Sequence, residues 1–490
     1  MKAAVSKTVI PFYGIRGSNP LASVAIITAI DILQTMPDNK PGELTPQQVE
    51  SSLNHSIKDG MAYASQVGFG EQYVGPYAIH LGANNMHMAF LGSLSPFIGN
   101  IFQMVSAEIV DKIKQRRKVY MSGAIIQDLT WIPMMLSIFL SYPTNLYLCI
   151  FSFILYLAAA NMTVPPWYSM MGDLVPENSR GRYFGRRGAF AIVAQLISAT
   201  IAGIFLDASK KNDIFGQSIA LNISIGFIII FGMALLSRVV SIYYVSRMHD
   251  PAYKTTSDDY FTIIDFFKRA PESNFAKFVF FVVLVTLTSQ LIGPFLGIYM
   301  LRDLKYSYID FMIAMNTLII SSFLTSVWWG RLSDRYGNKR MIELTSLGII
   351  MIPFFWAISG HIVYICFVQF YAGVVWSGFN LCIINFIFDT VTPAKRARCF
   401  AIFNLLNGFG LFMGGFVGGI ISSIIPRQFS LFGGSFFFVS EFIIIMIISG
   451  VLRLITHILF IHKFKEVRKV ESASIDRIIW NILLDFYPFR

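Results

Sequence analysis

Charge is scarce in this chain. Asp, Glu, Lys and Arg make up 14% of its 490 residues, against about a quarter in soluble domains, so a water-facing surface cannot be built on all sides. Acids are rarer than bases, 28 against 39. Cysteine occurs four times, at Cys149, Cys366, Cys382 and Cys399, each in or at the end of an apolar run. That spacing fits no zinc site, and soft apolar packing is the expected role. No His-Glu-x-x-His pattern, phosphate-binding glycine loop or paired-cysteine motif occurs, which removes the commoner metal and nucleotide chemistries. The expectation is a protein that is not an enzyme and holds no cofactor and no metal.

What is abundant is apolar bulk. Hydrophobic residues reach 55%, with 46 Phe and 21 Met, and the mean hydropathy is +0.59. This suits a lipid-facing surface better than an aqueous core. The net charge of +11 is no nucleic-acid footprint, because the basic residues are confined to particular loops. A spanning helix needs about 20 mostly apolar residues. By that measure twelve spans are expected, at 60–82, 85–109, 119–141, 145–172, 187–206, 216–245, 277–301, 307–329, 341–359, 361–388, 399–425 and 430–460. The stretch 21–35 is apolar but short and contains Asp31; it reads as an interfacial or loosely packed segment, with no cleavage site to mark a signal peptide.

Alternate loops differ sharply in Lys and Arg. One side carries the N-terminal segment, the loops at 111–118, 173–187, 246–277, 330–340 and 389–398, and the C-terminal tail. The other has only Lys210, Lys211, Arg302, Lys305 and Arg427. With Arg238 and Arg453 placed near helix ends, 32 of the 39 basic residues fall on the first side. The positive-inside rule makes that side cytoplasmic, with both termini inside, in a plasma or inner membrane. The expected organisation is a cytoplasmic N-terminal segment (1–58), a six-helix bundle (59–245), a central cytoplasmic loop (246–276), a second six-helix bundle (277–460) and a cytoplasmic tail (461–490).

Two internal repeats support the halves. Asp173, Val175, Arg180, Arg182 and Phe184 return as Asp389, Val391, Arg396, Arg398 and Phe400, 216 residues later. Ile109, Asp111, Lys112, Arg116 and Arg117 return as Leu332, Asp334, Arg335, Lys339 and Arg340, 223 residues later. Like repeats in like loops imply parallel halves. The second repeat belongs to the most informative stretch, Gly330-Arg-Leu-Ser-Asp334-Arg335-Tyr-Gly337-Asn-Lys339-Arg340, a turn between two apolar runs. Its glycines permit positive φ or close approach, and its acid can accept from a helix N-terminus.

This string resembles the G-x-L-a-D-R-x-G-R-K loop motif of the major facilitator superfamily of transporters. Asn338, where the family usually has a basic residue, is the departure. With the topology and the 173–187 segment, the resemblance covers residues 59–460. It implies an all-α membrane fold of two pseudo-symmetric six-helix bundles around a central cavity, with alternating access by rocking of the halves. It also implies gating roles for Asp111, Arg116, Arg117, Arg180, Arg182, Gly330, Asp334, Arg335, Gly337, Lys339, Arg340, Asp389, Arg396 and Arg398. In the family the motif acid sits against the first turn of a helix from the other half. Asp334 is therefore expected near Arg182–Arg187 and Asp111 near Arg396–Arg398. The helix-5 glycine motif of drug antiporters and the sugar-porter pattern are absent, so the substrate is not readable.

Ionisable groups at mid-bilayer are functional candidates by default. Glu71, among Gly68, Gly70 and Gly75, is the candidate for proton or substrate coupling, the alternative being a carboxyl satisfied by Gln72, Tyr73 or a neighbouring span. Asp128, on the third span, fits a structural hydrogen bond better, to Trp131 or a polar group of the second span. Gln66, Asn161, Gln290 and Asn380 are further substrate candidates. With Lys and Arg missing from the expected centre, the cavity reads as neutral, which disfavours an organic anion. His80 and His87 flank the first external turn and read as ordinary surface histidines. The helix-11 glycines read as packing positions.

The reading is a secondary active transporter for a small organic solute, coupled to protons through Glu71, seated in lipid as a monomer. An uncoupled facilitator or exporter is the alternative within transport. A membrane sensor or lipid scramblase on the same scaffold is the alternative outside it. A reporter fused after Arg490 is expected to read cytoplasmic; an external signal overturns the orientation.

Overall fold

The computed structural model describes residues 44–176, 179–211, 219–251, 273–391, 396–425, 428–431, 434–437, 440–468 and 470. Twelve membrane-crossing rods follow in order, some broken. They are α1 (Pro46–Phe69, continued by Val74–His80), α2 (Asn85–Ala89 and Ser95–Ile113, joined by a π turn), α3 (Arg116–Leu129 and Trp131–Leu136), α4 (Thr144–Met162 and Val164–Leu174), α5 (Arg180–Lys211) and α6 (Ile219–Ser246). The second half is α7 (Asn274–Gln290, continued by Leu296–Ile298), α8 (Tyr308–Tyr336), α9 (Asn338–Trp356), α10 (Ile362–Thr390), α11 (Arg396–Ile424) and α12 (Phe442–Phe460). Among the described residues ten of these rods are long and apolar enough to cross a membrane. The other two, α1 and α9, do not meet that measure of length and apolarity. Large apolar side chains such as Phe151, Phe367, Leu324 and Val327 stand on the outer surface of the bundles, as a lipid solvent requires.

Three boundaries differ from the sequence expectation. First, α1 begins at Pro46, inside the segment expected to precede it. Thr45 caps it in a reciprocal box with Gln48, and proline occupies the first turn, so local capping chemistry extends the rod well beyond its apolar part. Second, within the run that the sequence assigns to the start of the twelfth span, β1 (Gln428–Leu431) and β2 (Gly434–Phe437) pair antiparallel, with Gln428 opposite Phe437. Aromatic residues bracketing a Gly-Gly pair suit a hairpin as well as an apolar helix. Third, α12 consequently starts at Phe442. The stretch 21–35 and most of the central loop lie outside the described residues.

The two halves meet through α5 against α8 and α2 against α11. In α11, Gly408, Gly415 and Gly419 face Asn100, Ser93 and Ala89 of α2, across the interface. On the adjoining stripe Gly410, Gly414 and Gly418 face Val283, Leu287 and Leu291 of α7, in the same half. A Cβ on either stripe would collide with its neighbour, so the glycines set the approach distance. On the other seam, Asp207 near the end of α5 accepts from the first two amides of α8, Tyr308 N at 2.9 Å and Ile309 N at 2.8 Å. Asn316 Nδ2 donates to Thr200 Oγ1 at 3.3 Å further along. Asn85 of α2 also joins Arg302 and Glu441 of the second half, at 3.1 Å to each. These contacts lie toward the face opposite the basic loops and close the molecule there.

A buried carboxylate at a helix N-terminus is worth up to about 2 kcal/mol, which corresponds to roughly thirtyfold in a conformational equilibrium. Asp207→Asn is therefore expected to loosen this closed face. With the native cysteines replaced by Ala, labelling of a Ser93→Cys probe should quicken by up to about thirtyfold. An unchanged labelling rate removes Asp207 from the closure.

Candidate functional site

Two helix breaks locate the site. The regular turns of α1 stop at Gly70, where any Cβ would run into the Trp131 ring, and Glu71–Tyr73 form a tighter 3₁₀ turn before the helix resumes. In α7 the same turn occurs at Gly293–Phe295, around Pro294. The two breaks lie 222 residues apart, close to the offsets of the sequence repeats. Paired interruptions of this kind in two repeated halves leave backbone groups free to face a ligand.

A cavity of about 490 Å³ lies at both breaks. It is lined by Glu71 and Gln72 of α1, Asn100 of α2, Asn161 and Phe153 of α4, and Pro294 of α7, among others. Among the described residues Glu71 is the sole ionisable side chain of that lining. Its Oε2 accepts from Tyr156 Oη at 2.9 Å, not from Gln72 or Tyr73. Tyr156 is itself fixed, stacked on Phe153 and edge-on to Trp131. The open volume of the cavity lies directly beside the Glu71 carboxyl. Asn161 uses one donor on Leu157 O at 2.9 Å and offers its remaining groups to the cavity.

The other candidates fall elsewhere. Gln290 and Asn380 line a second cavity of about 340 Å³ inside the second half, with Gln369, Asn407, Trp376 and Arg453. Gln66 and Asp128 reach neither cavity. Both are buried in the first half, and among the described residues neither Trp131 nor a group of α2 bonds to Asp128. Among the described residues Asp128 Oδ1, both amide atoms of Gln66 and Gln127, and two guanidinium nitrogens of Arg238 find no hydrogen-bond partner. Arg238 is held by Ser241 at 3.0 Å and lies 4.7 Å over the Tyr63 ring. Ser241 in turn donates to Asp59, which pairs with Arg187 at 3.2 Å.

Arg238 keeps its expected place two turns before the end of α6, whereas Arg453 is not near a helix end. A twelfth span drawn from 430 places Arg453 toward its end, whereas in Phe442–Lys463 it is central. The described lining of the cavity at the helix breaks has no Lys or Arg, whereas the second cavity, which Gln290 and Asn380 line, holds Arg453. The missed signal was an arginine inside an apolar run with no acid one turn away. His80 donates to or accepts from Ser224 at 2.9 Å, and His87 caps its own helix through Asn84.

The gating loops pair within their own halves. Arg116 binds Asp173 at 2.6 Å and Asp250 at 3.0 Å, and Arg117 donates to Met248 O at 2.9 Å. In the second half Arg468 binds Asp389 at 3.0 Å and Asp334 at 3.6 Å. Each half thus ties its motif turn, its second basic turn and the exit of its last helix into one cluster. Asp334, 77% exposed, pairs with Arg468 of its own half, and among the described residues it does not meet the start of α5. Glu466 takes the helix-capping role expected of the acid, accepting from Lys339 N at 2.8 Å at the start of α9, where Gly337 turns the chain at φ 87°. Lys339 and Arg340 reach Glu343, Arg335 lies over Tyr336, and Arg180 donates to Gly172 O. Arg182 is exposed and Gly330 half-buried. The side chains of Asp111, Arg396 and Arg398 lie outside the described residues. Beside the first cluster, burial and the Arg117 guanidinium push the His249 imidazole below its usual pKa.

Comparisons with known proteins agree with this architecture. The family model described as Major Facilitator Superfamily matches residues 64–274 and 278–484, one match per half. A protein described as a multi-drug resistance efflux pump PmrA homolog, from Lactococcus lactis subsp. lactis (strain IL1403), is 24% identical over 290 residues, 57% of this chain and 66% of the relative. A probable peptide/nitrate transporter of Arabidopsis thaliana is 26% identical over 147 residues, 28% of this chain and 29% of the relative. The chain thus spans just under two thirds of the first relative and under a third of the second. The crystal structure of the nucleoside transporter NupG shares the fold, with a TM-score of 0.59 at 16% identity over 85% of this chain and all of that one. A crystal structure of a mutant of the same transporter gives 0.62 at the same identity and coverage. With a family match in each half and the matching fold, this chain is a multi-pass integral membrane protein that belongs to the major facilitator superfamily.

Proposed function

We propose that the chain moves a small organic solute across its membrane by alternating access, coupled to protons at Glu71. The observation that carries this reading is the position of Glu71. Among the described residues it is the lone ionisable group in a cavity between the halves, at a helix break matched in the other half. Protonation there changes the charge of the cavity by one unit, and with it the cost of closing the cavity away from water. The contacts across the halves lie toward the face opposite the basic loops, so the cavity opens on the basic face. With the positive-inside rule that face is cytoplasmic, and the conformation is inward-facing.

The intra-half ion clusters fit this state. When the basic face closes, Asp334 has to leave Arg468 and turn to the start of α5, where Arg182 and Arg186 stand exposed. Exposed pairs are worth at most about 1 kcal/mol each, so the exchange of partners is close to balanced and suits a two-state device.

A solute screen in proteoliposomes, with and without an imposed pH gradient, tests the reading. Glu71→Gln is expected to abolish pH-driven accumulation while exchange of solute continues. A mutant that still concentrates solute like the parent leaves Glu71 structural and removes the coupling claim.

A further inference from the structure

The second cavity holds a charge that the chain does not balance. Arg453 is the twelfth residue of Phe442–Lys463, at mid-membrane, and only 4% exposed. Among the described residues no carboxylate pairs with it. One donor is in use: Nη1 bonds Ile349 O at 2.8 Å. That carbonyl is free because Pro353, four residues on inside α9, has no N–H to give it. The bond fixes the guanidinium in place but neutralises nothing. Nε remains buried without a partner.

The surroundings are those of a ligand site. Arg453 lines a cavity of about 340 Å³. Ser289 lines it too, and its buried hydroxyl has no partner. Gln290, Asn380 and Asn407 contribute amides, Trp356 and Trp376 contribute flat apolar faces, and no acidic residue is in the lining. The cavity reaches from the central helices α7, α10 and α11 outward to α9 and α12. Charged groups at such depth persist where they are paired, and Arg238 in the first half has Ser241 and two tyrosine rings around it. Arg453 has a carbonyl and an open, donor-rich volume.

We propose that this cavity binds an organic carboxylate, its charge on Arg453 and Ser289 and its apolar body against Trp356 and Trp376. A guanidinium and a hydroxyl match the two oxygens of a carboxylate, and the tryptophans favour a ring or chain over a bare ion. The site is separate from the coupling role of Glu71, and its occupancy is read at equilibrium without a gradient.

The test uses the full chain in phosphatidylcholine nanodiscs, followed by thermal unfolding and tryptophan fluorescence. Benzoate, 1-naphthoate and dodecanoate are each compared with the corresponding carboxamide, and with chloride. At least one carboxylate is expected to raise the melting temperature and quench fluorescence, with its amide at least tenfold weaker and chloride inert. A ring acid alone points to a soluble solute, and dodecanoate alone to a membrane fatty acid; either supports the site. Arg453→Met should melt no lower than the parent without ligand, because an unbalanced buried charge has gone, and should lose the carboxylate response. No carboxylate binding, equal binding of the amides, a chloride response of the same size, or a carboxylate response that survives in Arg453→Met each overturns the proposal. The parent's carboxylate-to-amide comparison decides even if the variant does not fold.

Discussion

A carboxyl group placed at the depth of Glu71 must be protonated, paired or in reach of water, and much of this molecule is arranged around that constraint. The break in α1 turns Glu71 into the cavity, Trp131 presses against the glycine that permits the break, and Tyr156 supplies its one hydrogen bond. The same constraint governs the other buried charges. Asp59, Arg187 and Arg238 are strung together through Ser241 in the first half. Arg453 in the second half is held by a carbonyl that a proline has released.

The seams between the halves follow a different pattern. On the closed face they use a glycine stripe of α11 against α2, a carboxylate on the first amides of α8, and the neutral Asn85 side chain on the Arg302–Glu441 pair. Such contacts are close-fitting, and the Asp207 carboxylate is buried among them. On the basic face the charges are kept within each half, as Arg116 with Asp173 and Asp250, and Arg468 with Asp389 and Asp334. The exit of the last helix of each half completes the cluster, with the signs exchanged: an acid after α6, a base after α12.

The twelve rods, the repeat of the halves and the motif turn were legible in the sequence, because each rests on strong local signals: long apolar runs, basic loops and glycine turns. Glu71 was legible for the same reason, as an acid among glycines in an apolar setting. Less visible were features set by tertiary partners. Nothing local assigns Tyr156 to Glu71 or Glu466 to the start of α9. Gln66 looks like a cavity residue by depth yet is buried within the first half, as is Asp128, to which neither Trp131 nor the second span bonds among the described residues. The apolar run before Phe442 hid the pairing of β1 with β2, and that shift of the span boundary concealed Arg453 at mid-membrane. Asp334 was expected across the interface, but its partner depends on which face is open, and a sequence does not carry a conformational state.

The central claim is that the Glu71 carboxyl exchanges its proton with water through the cavity. Infrared difference spectra of the protein in nanodiscs, taken between acid and alkaline buffer, test it most directly. The account predicts a carboxyl carbonyl band that titrates reversibly with bulk pH, vanishes in Glu71→Gln, and moves its midpoint in Tyr156→Phe, where its hydrogen bond is lost. A spectrum unchanged by Glu71→Gln would mean that this carboxyl never meets bulk protons, and would contradict the account.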